Sequence, residues 1–128
     1  MLEKEERPWG KCEELFHDPE QSYRVKKYTV NPGQTLSVQY HSKRGEVWNV
    51  VSGVGIVSVS AKPFDDEKEY EMVPAQQVIG SIVNIPVGYI HTAHVPTEEK
   101  QSFVFIEVQI GNTDEDDVVM LHDEYGRV

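Results

Sequence analysis

Residues 32–53, PGQTLSVQYHSKRGEVWNVVSG, decide the fold. The stretch begins with a Pro-Gly turn and then gives a strand-like run, residues 36–40, and an apolar run, residues 47–51. Short runs rich in Val, Leu and aromatic residues between turn residues are typical of β-strands. The stretch therefore predicts two consecutive strands joined by a polar connection.

Three polar side chains in this stretch are the first candidates for a site. Gln39 and His41 are two residues apart, so on a strand both side chains leave the same face. Glu46 lies on the next strand, where we expect it to meet them across a hairpin. An amide oxygen, an imidazole and a carboxylate on one face suit a divalent metal ion, and His91 offers a further donor downstream.

Length and composition favour one soluble globular domain. The chain has 128 residues, of which 38% are hydrophobic and 27% charged, enough for a single sizeable core. No apolar run approaches the roughly 18 residues needed to span a bilayer, so no membrane partner is expected. The start lacks the apolar core of a secretion signal, and the single cysteine, Cys12, fits a reducing compartment. We therefore expect a cytoplasmic location, with Cys12 as a packed residue rather than a nucleophile.

The charge balance excludes one class of partner. The net charge is -10 at pH 7 and the pI is about 4.8, which argues against nucleic acid. Lys and Arg are scattered as singles and pairs rather than gathered in a stripe. A small anion can still bind where a few cations converge, so individual cations in this chain are informative.

The rest of the chain predicts further short strands. They are expected at residues 23–30, 56–61, 77–79 and 82–85, on a strand that carries His91, and at 103–110. Residues 62–71 are charged, contain a proline and predict an exposed loop. Many short strands between Gly and Pro turns favour an all-β antiparallel barrel or jelly roll. We expect one domain over 1–128, with residues 1–22 and the tail 111–128 packed on the barrel.

Two spaced motifs make the chain resemble the cupin superfamily. The first motif is matched, with glutamine in place of its first histidine, by Gly33, Gln39, His41, Glu46 and Gly53. The second motif is matched by Gly80, Pro86, Gly88 and His91. The resemblance implies a cupin-type antiparallel β-barrel, that is, a double-stranded β-helix or jelly roll.

More narrowly, the chain is similar to the C-terminal cupin domain of type II mannose-6-phosphate isomerases. The segments that carry this similarity are RPWG, YRVKKYTVNPGQTLSVQYH, RGEVW, IPVGYIH, FIEVQIG, EDDV and DEYGR. Such domains are usually fused to a mannose-1-phosphate guanylyltransferase. That part, with its Gly-rich loop, is missing here, so nucleotide transfer is not expected.

The resemblance implies a stand-alone, metal-dependent isomerase that interconverts mannose 6-phosphate and fructose 6-phosphate through an enediol. A divalent metal polarises the carbonyl, and a base moves a proton between neighbouring carbons. The implied ligands are Gln39, His41, Glu46 and His91. This mixed nitrogen and oxygen set suits one ion, zinc first, with iron, manganese or nickel as alternatives.

Four further residues are candidates for the chemistry. Arg44 lies between two ligands and Arg127 ends the YGR segment; one is expected to hold the phosphate and the other to steady the enediolate. Lys26 lies on a strand from which it can point inward. Glu107 shares a strand face with Gln109, where unpaired polar groups are costly, so Glu107 is a candidate acid or base, or a partner for an arginine. No residue stands out as the base.

Two other functions stay open. Thr92 and Met120 stand where the family usually has arginine, which favours a non-catalytic cupin that binds a sugar or nucleotide sugar. A different cupin enzyme, either an oxygenase or an isomerase or epimerase of another sugar, is the third hypothesis, and Gln39 disfavours the oxygenase, which usually has more imidazole ligands on its iron. Cupins often pair through edge strands, so family analogy implies a homodimer.

Overall fold

The structure is a computed structural model that describes residues 4–112, 114 and 117–126, and every regular element in these ranges is a β-strand. In chain order the strands are β1 (Lys4–Arg7), β2 (Gly10–Asp18), β3 (Tyr23–Val30), β4 (Val38–Tyr40), β5 (Arg44–Ser52), β6 (Gly55–Pro63), β7 (Met72–Gln77), β8 (Ile82–Ile85), β9 (Tyr89–His94), β10 (Phe103–Gly111) and β11 (Val119–His122). Across these ranges, no helix has the length and apolar character needed to cross a membrane.

The strands form two antiparallel sheets. One has six strands in the order β1-β2-β3-β10-β5-β8, and the other has five in the order β11-β4-β9-β6-β7. Each sheet buries one face against the other, since the core draws side chains from both. The prediction of an all-β antiparallel fold is confirmed.

An aromatic stack fills one end of the space between the sheets. Trp48 on β5 stacks on Phe105 on β10, with ring centroids 4.1 Å apart, and Phe105 stacks on Tyr28 of β3 at 5.1 Å. Val57 and Ala93 from the five-stranded sheet complete this core. Burying each such ring stabilises the fold by roughly 1.5–3 kcal/mol, so the stack is a principal source of stability.

The inward rows of the six-stranded sheet change character along their length. On β5 the buried row is Arg44, Glu46, Trp48 and Val50. On β10 it is Phe103, Phe105, Glu107 and Gln109. Because the strands are paired in register, the polar members of both rows fall at the same end of the interior. The barrel interior therefore has an apolar end and a polar end.

The sequence predicted two strands at their observed bounds, and the prediction of one other strand was wrong. Residues 23–30 and 82–85 are β3 and β8 as predicted. The strand expected at 77–79 is instead β7, Met72–Gln77, which pairs with β6 along the edge of its sheet. Residues 78–81 form a turn, in which Gly80 has a positive φ of 89° and the Ser81 amide donates to the Val78 carbonyl. The predicted loop 62–71 is also shorter than expected, because β6 extends to Pro63.

The hairpin expected between the two strands of the 32–53 stretch does not form. β4 pairs with β9 and β11, whereas β5 pairs with β10 and β8, so the two strands belong to different sheets. The Ser42–Lys43 connection crosses from one sheet to the other, and its amides donate to Asp117 rather than to a neighbouring strand. The side chains of β4 and β5 therefore meet across the barrel interior.

Candidate metal centre and its cavity

Two imidazoles and one carboxylate converge at the polar end of the interior. The ligand atoms of His41, Glu46 and His91 all lie within 4.8 Å of one another, and all three residues are buried. The Nε2 atom of His41 is 3.0 Å from Glu46 Oε2, and that of His91 is 3.6 Å from Glu46 Oε1. These nitrogen and oxygen donors could hold a transition-metal or zinc ion.

The ring orientations of both histidines fit a metal ligand. His41 Nδ1 donates to the Asp117 carbonyl at 2.6 Å, and His91 Nδ1 donates to the Tyr89 carbonyl at 3.0 Å. Each ring therefore directs Nε2 towards Glu46. His91 Nε2 is buried without a hydrogen-bond partner in the described part of the chain. A buried nitrogen of this kind needs a partner, and a metal ion bound by these residues would supply one.

The charge states of two ligands also suit a cation. Burial alone would raise the pKa of Glu46, but a hydrogen bond from His41 and the charges of His91, His41 and Arg44 outweigh it and hold that pKa well below its usual range. Burial lowers the pKa of His91, and the nearby Glu46 carboxylate only partly offsets this. An ionised carboxylate and a neutral imidazole are the forms that bind metal.

Gln39, the fourth predicted ligand, lies beside this cluster. It is directly opposite His91 in the β4–β9 pair, and opposite residues of an antiparallel pair share a face. Gln39 is half-buried and lines the same cavity as His41. The structure thus brings all four residues to one end of the barrel.

Arg44 contacts the donor set directly. Its Nε donates to Glu46 Oε2 at 3.1 Å, and one terminal nitrogen lies 3.3 Å from His41 Nε2. The other terminal nitrogen is buried with no hydrogen-bond partner among the described residues. A guanidinium fixed on one side and unsatisfied on the other is suited to receiving an anionic oxygen.

Trp48 is a further partner of the centre, which the sequence reasoning missed. Its indole Nε1 donates to Glu46 Oε1 at 3.1 Å, while its ring meets His91 edge-on at 5.7 Å. The RGEVW segment that carries the family resemblance contains this residue, so that segment was an available signal.

Glu107 and Lys26 face the cavity from neighbouring strands. They are directly paired between β10 and β3, both are buried, and both line the cavity. Burial, the Glu46 charge and a hydrogen bond with Glu46 raise the pKa of Glu107 well above its usual range. Gln109 Nε2 donates to Glu107 Oε1 at 2.7 Å. The raised pKa favours the protonated form of Glu107, and its hydrogen-bonded neighbours are Gln109 and Glu46 rather than an arginine.

The cavity has a volume of about 210 Å³ and lies next to the donor set. Its lining comprises Arg7, Trp9, Cys12, Lys26, Tyr28, Leu36, Ser37, Gln39, His41, Arg44, Glu107, Val118 and Met120. Sequence reasoning gave no role to Arg7, although the RPWG segment contains it. Burial raises the pKa of the Cys12 thiol to about 11, so Cys12 stays a protonated packing residue. Arg127, the remaining catalytic candidate, lies outside the described residues.

Two solved structures establish the class of fold. A cupin-like protein from Thermotoga maritima has a TM-score of 0.68 at 18% identity, covering 88% of this chain and 76% of that one. The capsular polysaccharide assembling protein CapF from Staphylococcus aureus has a TM-score of 0.78 at 22% identity, covering 96% of this chain and 35% of that one. The chain is therefore a cupin barrel, as the sequence motifs predicted.

The sequence comparison then gives the family. The model of the mannose-6-phosphate isomerase C-terminal family matches residues 1–123, and the chain belongs to this family. The mannose-1-phosphate guanylyltransferase ManC of Salmonella typhimurium is 38% identical over 123 residues, covering 95% of this chain. The chain spans only 22% of that relative's length.

This relationship corrects the expected function. Several relatives, ManC among them, are named for guanylyl transfer, and the domain matched here is the C-terminal part of bifunctional proteins. The expectation of a stand-alone mannose-6-phosphate isomerase is therefore wrong, because the relatives carry this cupin as one part of a larger protein. The family and the relatives are enzymes of sugar metabolism.

Proposed function

We propose that this domain is an aldose–ketose isomerase module that binds a phosphorylated hexose and works with a mannose-1-phosphate guanylyltransferase rather than alone. The observation that carries the proposal is the cavity, in which a buried metal-binding donor set adjoins three cations, Arg7, Lys26 and Arg44. Such a concentration of positive charge is unusual in a protein with a net charge of -10. It suits a phosphate group.

The cavity residues divide the work of holding such a substrate. Lys26 and the unsatisfied nitrogen of Arg44 are buried inside the cavity, whereas Arg7 is exposed and pairs with Glu5 near its rim. The buried cations interact more strongly with a phosphate, because little water screens them. Lys26 and Arg44 are accordingly proposed as the main phosphate ligands, with Arg7 at the entrance.

The proposed chemistry moves a proton from the carbon next to the carbonyl to the carbonyl carbon itself, while the neighbouring hydroxyl proton moves to the carbonyl oxygen, so that no proton is gained or lost overall. A divalent ion bound by Gln39, His41, Glu46 and His91, zinc first with iron, manganese or nickel as alternatives, supplies Lewis acidity to the sugar oxygens. Glu107 hydrogen-bonds Glu46, and in its protonated form it donates its single proton to that carboxylate ligand.

The test is turnover of mannose 6-phosphate, the sugar that the family description names, with and without a mannose-1-phosphate guanylyltransferase. We expect turnover that chelation abolishes and zinc restores. His91→Ala should remove it, because His91 lies in the donor set. His94→Ala is the matched control, since His94 is exposed on the same strand and bonds Thr35 outside the cavity. Zinc binding without turnover of any hexose phosphate, with the transferase present, would refute the isomerase proposal.

The expected homodimer stays a prediction, as do the cytoplasmic location and the absence of nucleic-acid and membrane partners. β8 lies at the edge of the six-stranded sheet; its first residue, Ile82, is 62% exposed, and Ile79 in the preceding turn is 71% exposed. An edge strand with exposed apolar side chains fits pairing between two copies. Light scattering on the purified protein measures the mass directly.

A further inference from the structure

Asp117 holds the connection that crosses between the two sheets. Its carboxylate is buried and accepts three hydrogen bonds: from the Ser42 amide at 3.0 Å, the Ser42 hydroxyl at 2.7 Å and the Lys43 amide at 2.9 Å. Because this connection leaves the ladder of both sheets, its amides need partners from elsewhere. Asp117, 75 positions along the chain from Ser42, supplies them.

The backbone of the same residue contacts the metal centre. The Asp117 carbonyl accepts the hydrogen bond from His41 Nδ1 at 2.6 Å. With Nδ1 occupied by this bond, Nε2 is the nitrogen available to a metal ion. The residue that fixes the turn after His41 therefore also sets the orientation of the His41 ring.

Asp117 begins a segment that covers the cavity. Val118 and Met120 line the cavity wall, and β11 pairs with β4 beside Gln39. At the far end of the segment, the Tyr125 hydroxyl donates to Gln34 Oε1 at 2.6 Å. Residues 117–126 thus form a strap that is tied to the barrel near each end.

We propose that Asp117 is a positioning residue for the metal centre: its side chain fixes its own carbonyl against His41 Nδ1, so that anchoring of the Ser42–Lys43 connection and presentation of His41 Nε2 to the metal ion are a single event. This inference rests on the metal site of the proposed function. It predicts that a side chain with no contact to the metal ion controls metal affinity.

The experiment measures zinc affinity of the full chain by calorimetry with a competing chelator. Removing an outer partner of a ligating histidine typically weakens metal binding by about 10–100-fold, and we expect this loss in Asp117→Ala. Asp117→Asn keeps one acceptor oxygen and should fall between it and the wild type. Tyr125→Phe is the matched control, because it weakens the other tie of the strap without touching His41 or its neighbours; its affinity should equal that of the wild type.

A second readout reports on the His41 ring itself. In the zinc-loaded wild type, the His41 Nδ1 proton should give a slowly exchanging nuclear magnetic resonance signal, assigned by its absence in His41→Gln. Asp117→Ala should speed its exchange with water, and Tyr125→Phe should leave it unchanged. If Asp117 had a purely structural role, Asp117→Ala would lower the melting temperature without a specific increase in the exchange rate of the His41 Nδ1 proton.

The outcomes separate the two proposals. If the wild type binds neither zinc nor manganese, nickel or ferrous iron, the metal site fails and this inference falls with it. If the wild type binds zinc and folded Asp117→Ala binds it equally well, only the role of Asp117 is refuted. If Asp117→Ala does not fold, Ser42→Ala replaces it, because this variant removes one of the three hydrogen bonds to the Asp117 carboxylate. A smaller loss of zinc affinity in Ser42→Ala would support the proposal, and an unchanged affinity would refute it.

Discussion

The two ends of the barrel interior are built on the same strands but differ in what they contribute. At the apolar end, aromatic rings are packed closely and their burial stabilises the fold. At the polar end, charged groups are removed from water at a cost of several kcal/mol per ion unless they are paired. The difference indicates that burial of the aromatic rings at the apolar end offsets the free-energy cost of placing charged groups at the polar end.

Trp48 joins the two ends. Its ring stacks on Phe105 in the aromatic core, and its Nε1 proton is donated to Glu46 in the metal centre. One side chain thus takes part in both the core and the site. Substitutions at Trp48 therefore distinguish the stability that comes from aromatic stacking from the stability that comes from the hydrogen bond to Glu46.

The largest effect is expected at Trp48. Trp48→Ala should lower the free energy of unfolding by about 3–5 kcal/mol, because it removes a buried aromatic ring and leaves a cavity. Trp48→Phe keeps a ring in the stack but loses the donor to Glu46, so it should cost less. Denaturant unfolding measures both values. Equal losses in the two variants would show that the hydrogen bond to Glu46, rather than the stack, dominates.

Zinc should stabilise the folded protein by binding at the polar end of the barrel interior. At a free concentration 100 times the dissociation constant, a ligand that binds only the folded state stabilises it by about 2.7 kcal/mol. We expect zinc to raise the melting temperature of the wild type and of His94→Ala, but not of His91→Ala. Differential scanning calorimetry provides the measurement. A rise in His91→Ala as large as that in the wild type would place the zinc outside the predicted centre.

Arg44→Lys separates phosphate binding from metal binding. A lysine keeps the charge but loses the planar fork, one arm of which bonds Glu46 while another is left for the substrate. A hydrogen bond to a charged group contributes about 1.5–3 kcal/mol, so the affinity for a hexose phosphate should fall about 10–100-fold. Calorimetric titration of the zinc-loaded protein measures it. Unchanged phosphate affinity would remove Arg44 from the anion site.

The strands and the metal-ligand candidates could be predicted from the sequence more fully than the pairing of the strands. Local alternation and flanking turns identify β3 and β8 at their bounds, and motif spacing nominates Gln39, His41, Glu46 and His91. Local patterns do not reveal which sheet a strand joins, so the expected hairpin between β4 and β5 was wrong.

Two contributors to the site were beyond local reasoning for a related reason. Asp117 reaches His41 through a backbone carbonyl, a group that every residue carries and that therefore leaves no sequence signal. Arg7 lines the cavity from β1. Its strand comes close to the candidate metal centre only when the six-stranded sheet has formed. Both contacts depend on tertiary structure, which composition and periodicity do not encode.

The smallest effect is expected from Glu107→Gln, and its sign depends on pH. An unfolded glutamate ionises near pH 4.3, whereas burial and the Glu46 charge keep the folded Glu107 carboxyl protonated to higher pH. The wild type therefore loses stability as the pH rises above about 4. The variant cannot ionise, still accepts the bond from Gln109, and should be more stable at pH 7 by on the order of 1 kcal/mol. Thermal unfolding should show this advantage shrinking towards pH 4. An advantage that does not change with pH would mean that Glu107 is ionised in the folded protein, and its assignment as the protonated donor at the polar end would be wrong.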